Sequence, residues 1–379
     1  MIKEIQSKSL LRKHNKVDSW FLARYGMNLY RGCQHNCAYC DGRAEGYYVD
    51  GEFGEDIAVK VNAPSLLRRE LDPRRKRVPL KKGFIMLGGG VGDSYQPAEL
   101  KYKLTQQILE ILFAENWPVH ILTKSTAVKR DLDIIKKINE KTRAIVSFSL
   151  SSVDDHLCTI FEPGVPTATA RLETISFFKD NGIACGIYLM PVIPFISDTP
   201  DMISAVMQKA RDHKVDFLVF GGMTIKPGRQ REHYMKILNN TFPELVDKYE
   251  KLYLNDKWGS AAGDYYIRIH QLFSSLVLEF KIPPRMPQPL FQNFLAQDDQ
   301  VIVILEHIDY LLKLQGIKSN YGYAAYQLLK LAEPLTSIKH RLNRIKGVGD
   351  KIARVINEIL ETGTASLYQD LISKYTSTV

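Results

Sequence analysis

Cys33, Cys37 and Cys40 fall on one short loop, Arg31-Gly32-Cys33-Gln34-His35-Asn36-Cys37-Ala38-Tyr39-Cys40. The chain has only five cysteines, so most of its thiol chemistry is concentrated here. Thiolates set this tightly suit a soft metal centre better than a disulfide framework. The number of ligands is informative. A cubane cluster takes four thiolates when fully ligated, so three cysteines leave one iron open to an outside ligand. A zinc knuckle with His35 as fourth ligand would use the same residue types. A histidine inside the loop is, however, poorly placed to close a tetrahedron with its near neighbours.

Other candidates stand at the ends of apolar runs. Leu87-Gly88-Gly89-Gly90-Val91-Gly92-Asp93 is neither a phosphate loop nor a dinucleotide fingerprint. Its physical use would be close backbone approach to a ligand, with carbonyls accepting from an amine, or else a flexible turn. Lys124, directly after residues 119–123, is placed to pair with a carboxylate. Strand alternation puts Ser147, Ser149 and Ser151 on one face, as ligand-facing hydroxyls or as ordinary strand serines bonded to backbone.

The elements that must position these residues alternate. Strands are predicted over residues 25–30, 84–88, 119–123, 144–150, 184–191 and 217–222. Helical patterns cover 98–114, 129–139, 169–181 and 199–213. Repeated strand-helix units imply a parallel sheet with right-handed crossovers. Six units are too few for an eight-fold barrel. In parallel barrels the chemistry sits beyond the C-terminal ends of the strands, which is where the cysteine loop, the glycine run and Lys124 fall.

The loop spacing, with Tyr39 just before the last cysteine, resembles the signature of the radical S-adenosylmethionine (SAM) superfamily. That resemblance implies an α/β fold with a partial (β/α)6 barrel, and a 4Fe-4S cluster and SAM as cofactors. It further implies a 5′-deoxyadenosyl radical as the reactive species. Asn28-Leu29-Tyr30-Arg31-Gly32-Cys33, Asp93-Ser94-Tyr95-Gln96-Pro97-Ala98-Glu99, Thr123-Lys124-Ser125, Phe161-Glu162-Pro163 with Arg171-Leu172, and Met190-Pro191-Val192-Ile193-Pro194 occur in the order of the spore photoproduct lyase family and resemble its phrases. By that resemblance Cys33, Cys37 and Cys40 are the cluster ligands and Tyr39 lies beside the adenine. Lys124 and Ser149 would contact SAM, and Gly88 and Gly89 its amino group. Glu162 and Arg171 match family phrases without a physical argument for a ligand role; a buried pair bracing the barrel serves as well. One departure concerns the hydrogen donor. The family's best-known member uses a cysteine after the second strand, and residues 88–95 here contain none. Tyr95 and Cys158 are the remaining catalytic candidates, each with a bland alternative as a packed aromatic and a helical residue. Cys185 reads as a small core residue.

The C-terminal region carries a separate signal. Lys281-Ile282-Pro283-Pro284-Arg285-Met286-Pro287-Gln288-Pro289 reads as a stiff linker. The expected division is a barrel over 1–280, a linker over 281–297 and an all-α domain over 298–379, with helices near 299–315 and 321–332. Within it, Lys346-Gly347-Val348-Gly349-Asp350-Lys351-Ile352-Ala353-Arg354 resembles the helix-hairpin-helix motif of DNA repair enzymes and polymerases. Ile352, Val355, Ile356, Ile359 and Leu360 make an amphipathic helix. Gly347 and Gly349 allow a tight turn whose amides face outward at a helix start, an anion site. Lys351 sits in the first turn, where the helix dipole disfavours a cation and a phosphate would relieve the conflict; Lys346 and Arg354 flank it. The alternative is a hairpin that packs protein.

Bulk properties agree with a soluble enzyme that meets a polyanion. The chain has 379 residues, 45% hydrophobic and 25% charged, with a formal net charge of +9. The densest basic run spans residues 68–82 and serves either as a solvated helix end or as a phosphate-contacting edge. No apolar run is long enough for a membrane span, and Met1-Ile2-Lys3-Glu4-Ile5 lacks a signal-peptide core. A cytoplasmic enzyme is expected, reduced by a partner such as ferredoxin or flavodoxin. The leading expectation is a radical SAM enzyme, lyase-type, acting on a DNA base lesion. Modification of RNA or another polymer, or a non-enzymatic iron–sulfur sensor that binds nucleic acid, are the alternatives.

Overall fold

The computed structural model describes residues 1–47, 51–75, 78–254 and 256–376. Six strands form its main sheet: β1 (Ala23–Met27), β2 (Phe84–Leu87), β3 (Val119–Thr123), β4 (Ala144–Leu150), β5 (Ala184–Val192) and β6 (Phe217–Gly222). All are parallel and each pairs with the next in the chain, in register pairs such as Val119 with Ala144. Arg12–Lys13 adds an antiparallel edge beside β1, and β6 does not close onto β1. β2 and β3 are buried at every position, as strands covered on both faces must be.

Helices α1 (Leu104–Ala114), α2 (Leu132–Lys141), α3 (Ala168–Asp180) and α4 (Pro200–Asp212) connect the strands. Their starts follow capping chemistry. The Thr167 hydroxyl accepts from the Ala170 amide at 3.2 Å and Thr199 from the Met202 amide at 3.3 Å, each satisfying an otherwise orphaned helix donor.

Two expected boundaries differ. The first strand splits: Tyr30–Arg31 leaves the main sheet and pairs with Ile57–Lys60, which also pairs with Ile2–Ile5. The helix expected over 98–114 breaks at Lys103, whose φ is +48°. The cause is buried Glu99, whose carboxylate accepts the Thr105 amide at 3.0 Å in place of a helical carbonyl.

The proline-rich stretch lies along the sheet edge. Ile282, Pro283, Pro284, Arg285 and Met286 are buried, and the Pro283 carbonyl accepts from Leu218 of β6 at 2.9 Å. Beyond α5 (Tyr265–Glu279) come α6 (Gln297–Leu314), α7 (Tyr321–Leu328), α8 (Asp350–Thr362) and α9 (Ser366–Ser373). One apolar core runs from the sheet through α6 to α9. A buried Arg24–Asp299 ion pair at 3.3 Å ties β1 to α6. In the basic run, Arg74 is exposed and bound to Asp72 at 3.0 Å; Lys76 and Arg77 fall outside the described residues. No described helix is long and apolar enough to cross a membrane.

Candidate active site and nucleic-acid interface

The cysteine loop crosses the C-terminal ends of the strands. It is pinned by backbone bonds from Ala38 to the Phe161 carbonyl (2.8 Å) and from Gly164 to the His35 carbonyl (3.1 Å). Cys33, Cys37 and Cys40 are free thiols lining one cavity of about 260 Å³ with Tyr39, Gly89, Asp93, Lys124, Ser149 and Met190. Burial raises all three thiol pKa values. Buried thiols resist ionising unless a metal or cation compensates. Amides already face two of the sulfurs, from His35 and Asp93 toward Cys33 and from Gly42 to Cys40 at 3.4 Å. No three His, Cys, Asp or Glu side chains among the described residues converge on a point that would hold a single ion. A cubane asks for something else, one thiolate per iron, and soft buried thiols around a shared cavity fit it.

His35 is taken up elsewhere. Its Nδ1 lies 2.9 Å from the Gly164 carbonyl and its Nε2 3.1 Å from Asp93. The Asp93 contact is close but lacks hydrogen-bond alignment. With both nitrogens engaged, the geometry disfavours a zinc knuckle closed by His35. Asp93 itself was not singled out as a ligand-site residue by its spacing, yet it organises this wall. Burial works against its charge, but His35 and the amides of Lys124 and Tyr95 hold its carboxyl below the usual range. It also accepts from the Thr123 hydroxyl at 2.8 Å.

Glu162 is the second organiser. It is fully buried and accepts from the Tyr39 hydroxyl, from Lys124 (2.9 Å), from Ser151 (3.0 Å) and from Arg171 (2.6 Å). Burial would raise its carboxyl, but Arg171 and Lys124 hold it well below the usual carboxylate range. Lys124 Nζ also donates to Ser149 Oγ at 3.0 Å, and the Ser149 hydroxyl donates to the Met190 carbonyl at 2.9 Å. Its third N–H makes only a long contact, 3.5 Å to the Ser149 carbonyl, the weakest of the three and the one a guest acceptor in the cavity would displace. Tyr39, Lys124 and Ser149 thus form one bonded group beside the cysteines.

The glycine run divides. Gly89 lines the cavity; Gly88 does not. Gly88 has φ +83°, and a Cβ there would stand 2.0 Å from the Leu122 carbonyl, so its role in the structure is close packing of β2 on β3. The structure does not bring Tyr95 or Cys158 to the cavity. The Tyr95 hydroxyl donates to Asp131 at 3.0 Å, on the far side of the Asp93 turn. The Cys158 sulfur lies 3.3 Å from Arg171, behind Glu162, and burial together with Glu162 pushes its thiol up to about 11. Cys185 is a buried core residue.

The hairpin forms as its glycines require. Gly347 has φ +84°, and the Val348 amide returns to the Ile345 carbonyl at 2.9 Å. Gly349 is the N-cap of α8 without a side-chain cap. That leaves helix-start amides for an anion. Lys346, Lys351 and Arg354 are exposed, and the Arg354 Nε reaches back to the Asp350 carbonyl at 3.4 Å. Gly347, Gly349 and Lys351 line a concavity of about 660 Å³ together with Lys318 and Asn320 from the turn before α7 and Tyr321 at its start. The Tyr321 hydroxyl is buried there without a hydrogen-bond partner. That second wall carries no repeat or spacing that a sequence could reveal.

Comparison with known proteins agrees with this architecture. The radical SAM superfamily model matches residues 27–205, and a helix-hairpin-helix domain model matches residues 297–365. An uncharacterised protein of Mycobacterium tuberculosis is 33% identical over 234 residues, 61% of this chain and 67% of the relative. One from Methanocaldococcus jannaschii is 30% identical over 226 residues, 59% of this chain and 79% of the relative. Among solved structures, a variant of spore photoproduct lyase superposes with a TM-score of 0.54 at 16% identity, covering 74% of this chain and 79% of that one. Another variant, with a dinucleoside spore photoproduct, gives 0.51 at 17% identity over 71% and 78%. These likenesses are of fold. The chain belongs to the radical SAM superfamily and carries a C-terminal helix-hairpin-helix domain. Its cofactors are accordingly a 4Fe-4S cluster and SAM.

Proposed function

We propose that this protein is a radical SAM enzyme that acts on a base lesion in DNA, as a lyase of the spore photoproduct type. The observation that carries the reading is the pairing, on one chain, of a thiol-lined cavity with a hairpin whose helix-start amides and lysines suit phosphate. Cys33, Cys37 and Cys40 would hold the cluster. When bound, cluster and SAM supply a 5′-deoxyadenosyl radical that abstracts hydrogen. The chain's residues do the rest. The weakly held third N–H of Lys124 suits a carboxylate, Ser149 keeps a lone pair for a hydroxyl or amine, Tyr39 offers a ring face, and the backbone at Gly89 suits an amino group. Glu162 and Asp93 hold this wall rigid. A hairpin that grips phosphates without reading bases gives weak, salt-sensitive affinity, and the altered base must leave the stack to reach the cavity. A cytoplasmic setting and an acidic one-electron donor such as ferredoxin or flavodoxin complete the reading, with a barrel (1–280) and a helical region (298–379) that share one apolar core.

The test is anaerobic incubation of the reconstituted, reduced protein with ultraviolet-irradiated duplex DNA, followed by mass spectrometry of the nucleosides. Loss of a thymine photoproduct with return of thymidine is expected, abolished by C37A and reduced by K351A. Unchanged photoproduct levels alongside a new modification in cellular RNA would replace the reading with RNA modification.

A further inference from the structure

Phe21 was not singled out by any sequence pattern, yet it lines the cavity that holds the three cysteines, Lys124 and Ser149. Its ring stacks on Tyr188 of β5 with centroids 5.0 Å apart and planes 12° from parallel. Tyr188 is fully buried, and its hydroxyl donates to the Trp20 carbonyl at 2.6 Å. One face of Phe21 is therefore backed by a fixed ring.

The mount is built at a cost. Residues 18–22 form a tight turn in which the Leu22 amide reaches the Asp18 carbonyl at 2.7 Å and Leu22 sits at φ +54°, a left-handed conformation that a branched residue adopts only under constraint. The constraint comes from two sides. Inside the barrel, His120 Nδ1 lies 2.8 Å from the Phe21 carbonyl, and its Nε2 lies 2.9 Å from the Ser147 hydroxyl. Outside, the helical region holds the same turn: His307 lies 3.0 Å from the Ser19 carbonyl, and Arg285 packs its guanidinium over Trp20 at 4.8 Å. A turn held this firmly from both sides fixes the direction of Phe21.

We propose that Phe21 is the stacking platform for the planar ring of the substrate, with Tyr188 as its backing and the turn at residues 18–22 as its mount. An extruded base would extend the Tyr188–Phe21 stack by one ring, on the side of the cavity facing Lys124 and the cysteines. Stacking fixes a base's plane whatever its hydrogen-bonding edge, which suits a damaged base with an altered edge. The proposal rests on the nucleic-acid reading above.

The test uses the reconstituted protein with SAM and no reductant, and a short single-stranded oligothymidylate carrying one 2-aminopurine. Stacking on an aromatic ring quenches this fluorophore. Wild type and F21Y are expected to bind with quenching. F21L is expected to lose the quench and to bind about tenfold more weakly, with unchanged iron content and melting temperature. Should F21L fail to fold, F21M fills the space without a ring and is expected to behave the same way. Full quench and affinity in a ring-free variant would overturn the platform while leaving the nucleic-acid reading intact, provided K351A still weakens binding. A wild type that does not bind the oligonucleotide would bring down both.

Discussion

At the scale of single residues, Glu162 decides whether the cavity wall beside the cysteines is rigid. It meets two cations, and Arg171 is as buried as the carboxylate. Replacing one partner of such a pair strands the other charge, at about 3–5 kcal/mol. E162Q is therefore expected to lower the unfolding free energy by about that much at pH 7, read from urea midpoints. The pH dependence follows from the sign of the shift. A carboxyl held below its unfolded value contributes fully above the ordinary carboxylate range, and loses its contribution as pH falls toward the folded value. Wild type should thus lose more stability than E162Q on acidification below pH 5. Parallel acid profiles would mean that the pair is not a stabilising one. This residue also marks where sequence reading stops. The cysteine spacing was legible because its information is local, and Lys124 and Ser149 because strand ends and alternation place them. The Glu162 constellation joins residues 39, 124, 151 and 171, and only the fold brings them together. Tyr95 and Cys158 follow the same logic in reverse. Tyr95 was suggested by its place after the second strand and Cys158 as a remaining thiol, but the Asp93 turn sends Tyr95 to Asp131, and helix packing sends Cys158 to Arg171.

At the scale of elements, the six strands were legible because parallel strands buried on both faces must be apolar throughout. The break at Lys103 was not, because its cause is a carboxylate held by Tyr30 at 2.5 Å across 69 residues. The hairpin gives the test at this scale. Gly347 has φ +84°, and a Cβ there would meet the Tyr323 ring at 2.5 Å. Tyr323 is exposed and can swing aside, so the cost of G347A is the backbone conformation, about 1–3 kcal/mol. That strain should open the turn that presents the Gly349 and Lys351 amides. G347A is expected to weaken DNA binding in anisotropy titrations while leaving the cluster absorbance and SAM affinity as in wild type. If DNA affinity is unchanged, phosphate binding does not run through this hairpin.

At the scale of the whole molecule, the helical region is a wall of the barrel as well as the carrier of the proposed nucleic-acid grip. Asp299 neutralises Arg24 of β1, His307 holds the Ser19 carbonyl, and α6 is buried over most of its length within the same core as the sheet. Arg24 Nε and Asp299 Oδ2 lack hydrogen-bond partners there, so the seam depends on its charges meeting. Cutting the chain after residue 296 would remove the counter-charge of Arg24 and expose the apolar face that α6 covers. Each large apolar side chain uncovered costs about 1.5–3 kcal/mol, so several together are a large share of a typical domain's 5–15 kcal/mol. The fragment 1–296 is expected to bind a hydrophobic dye strongly and to unfold without a cooperative transition, whereas the full chain should unfold cooperatively and leave the dye dark. A cooperative, dye-silent fragment would instead make the barrel autonomous, and the grip on the turn at residues 18–22 would then come from the barrel side, through His120 and Tyr188.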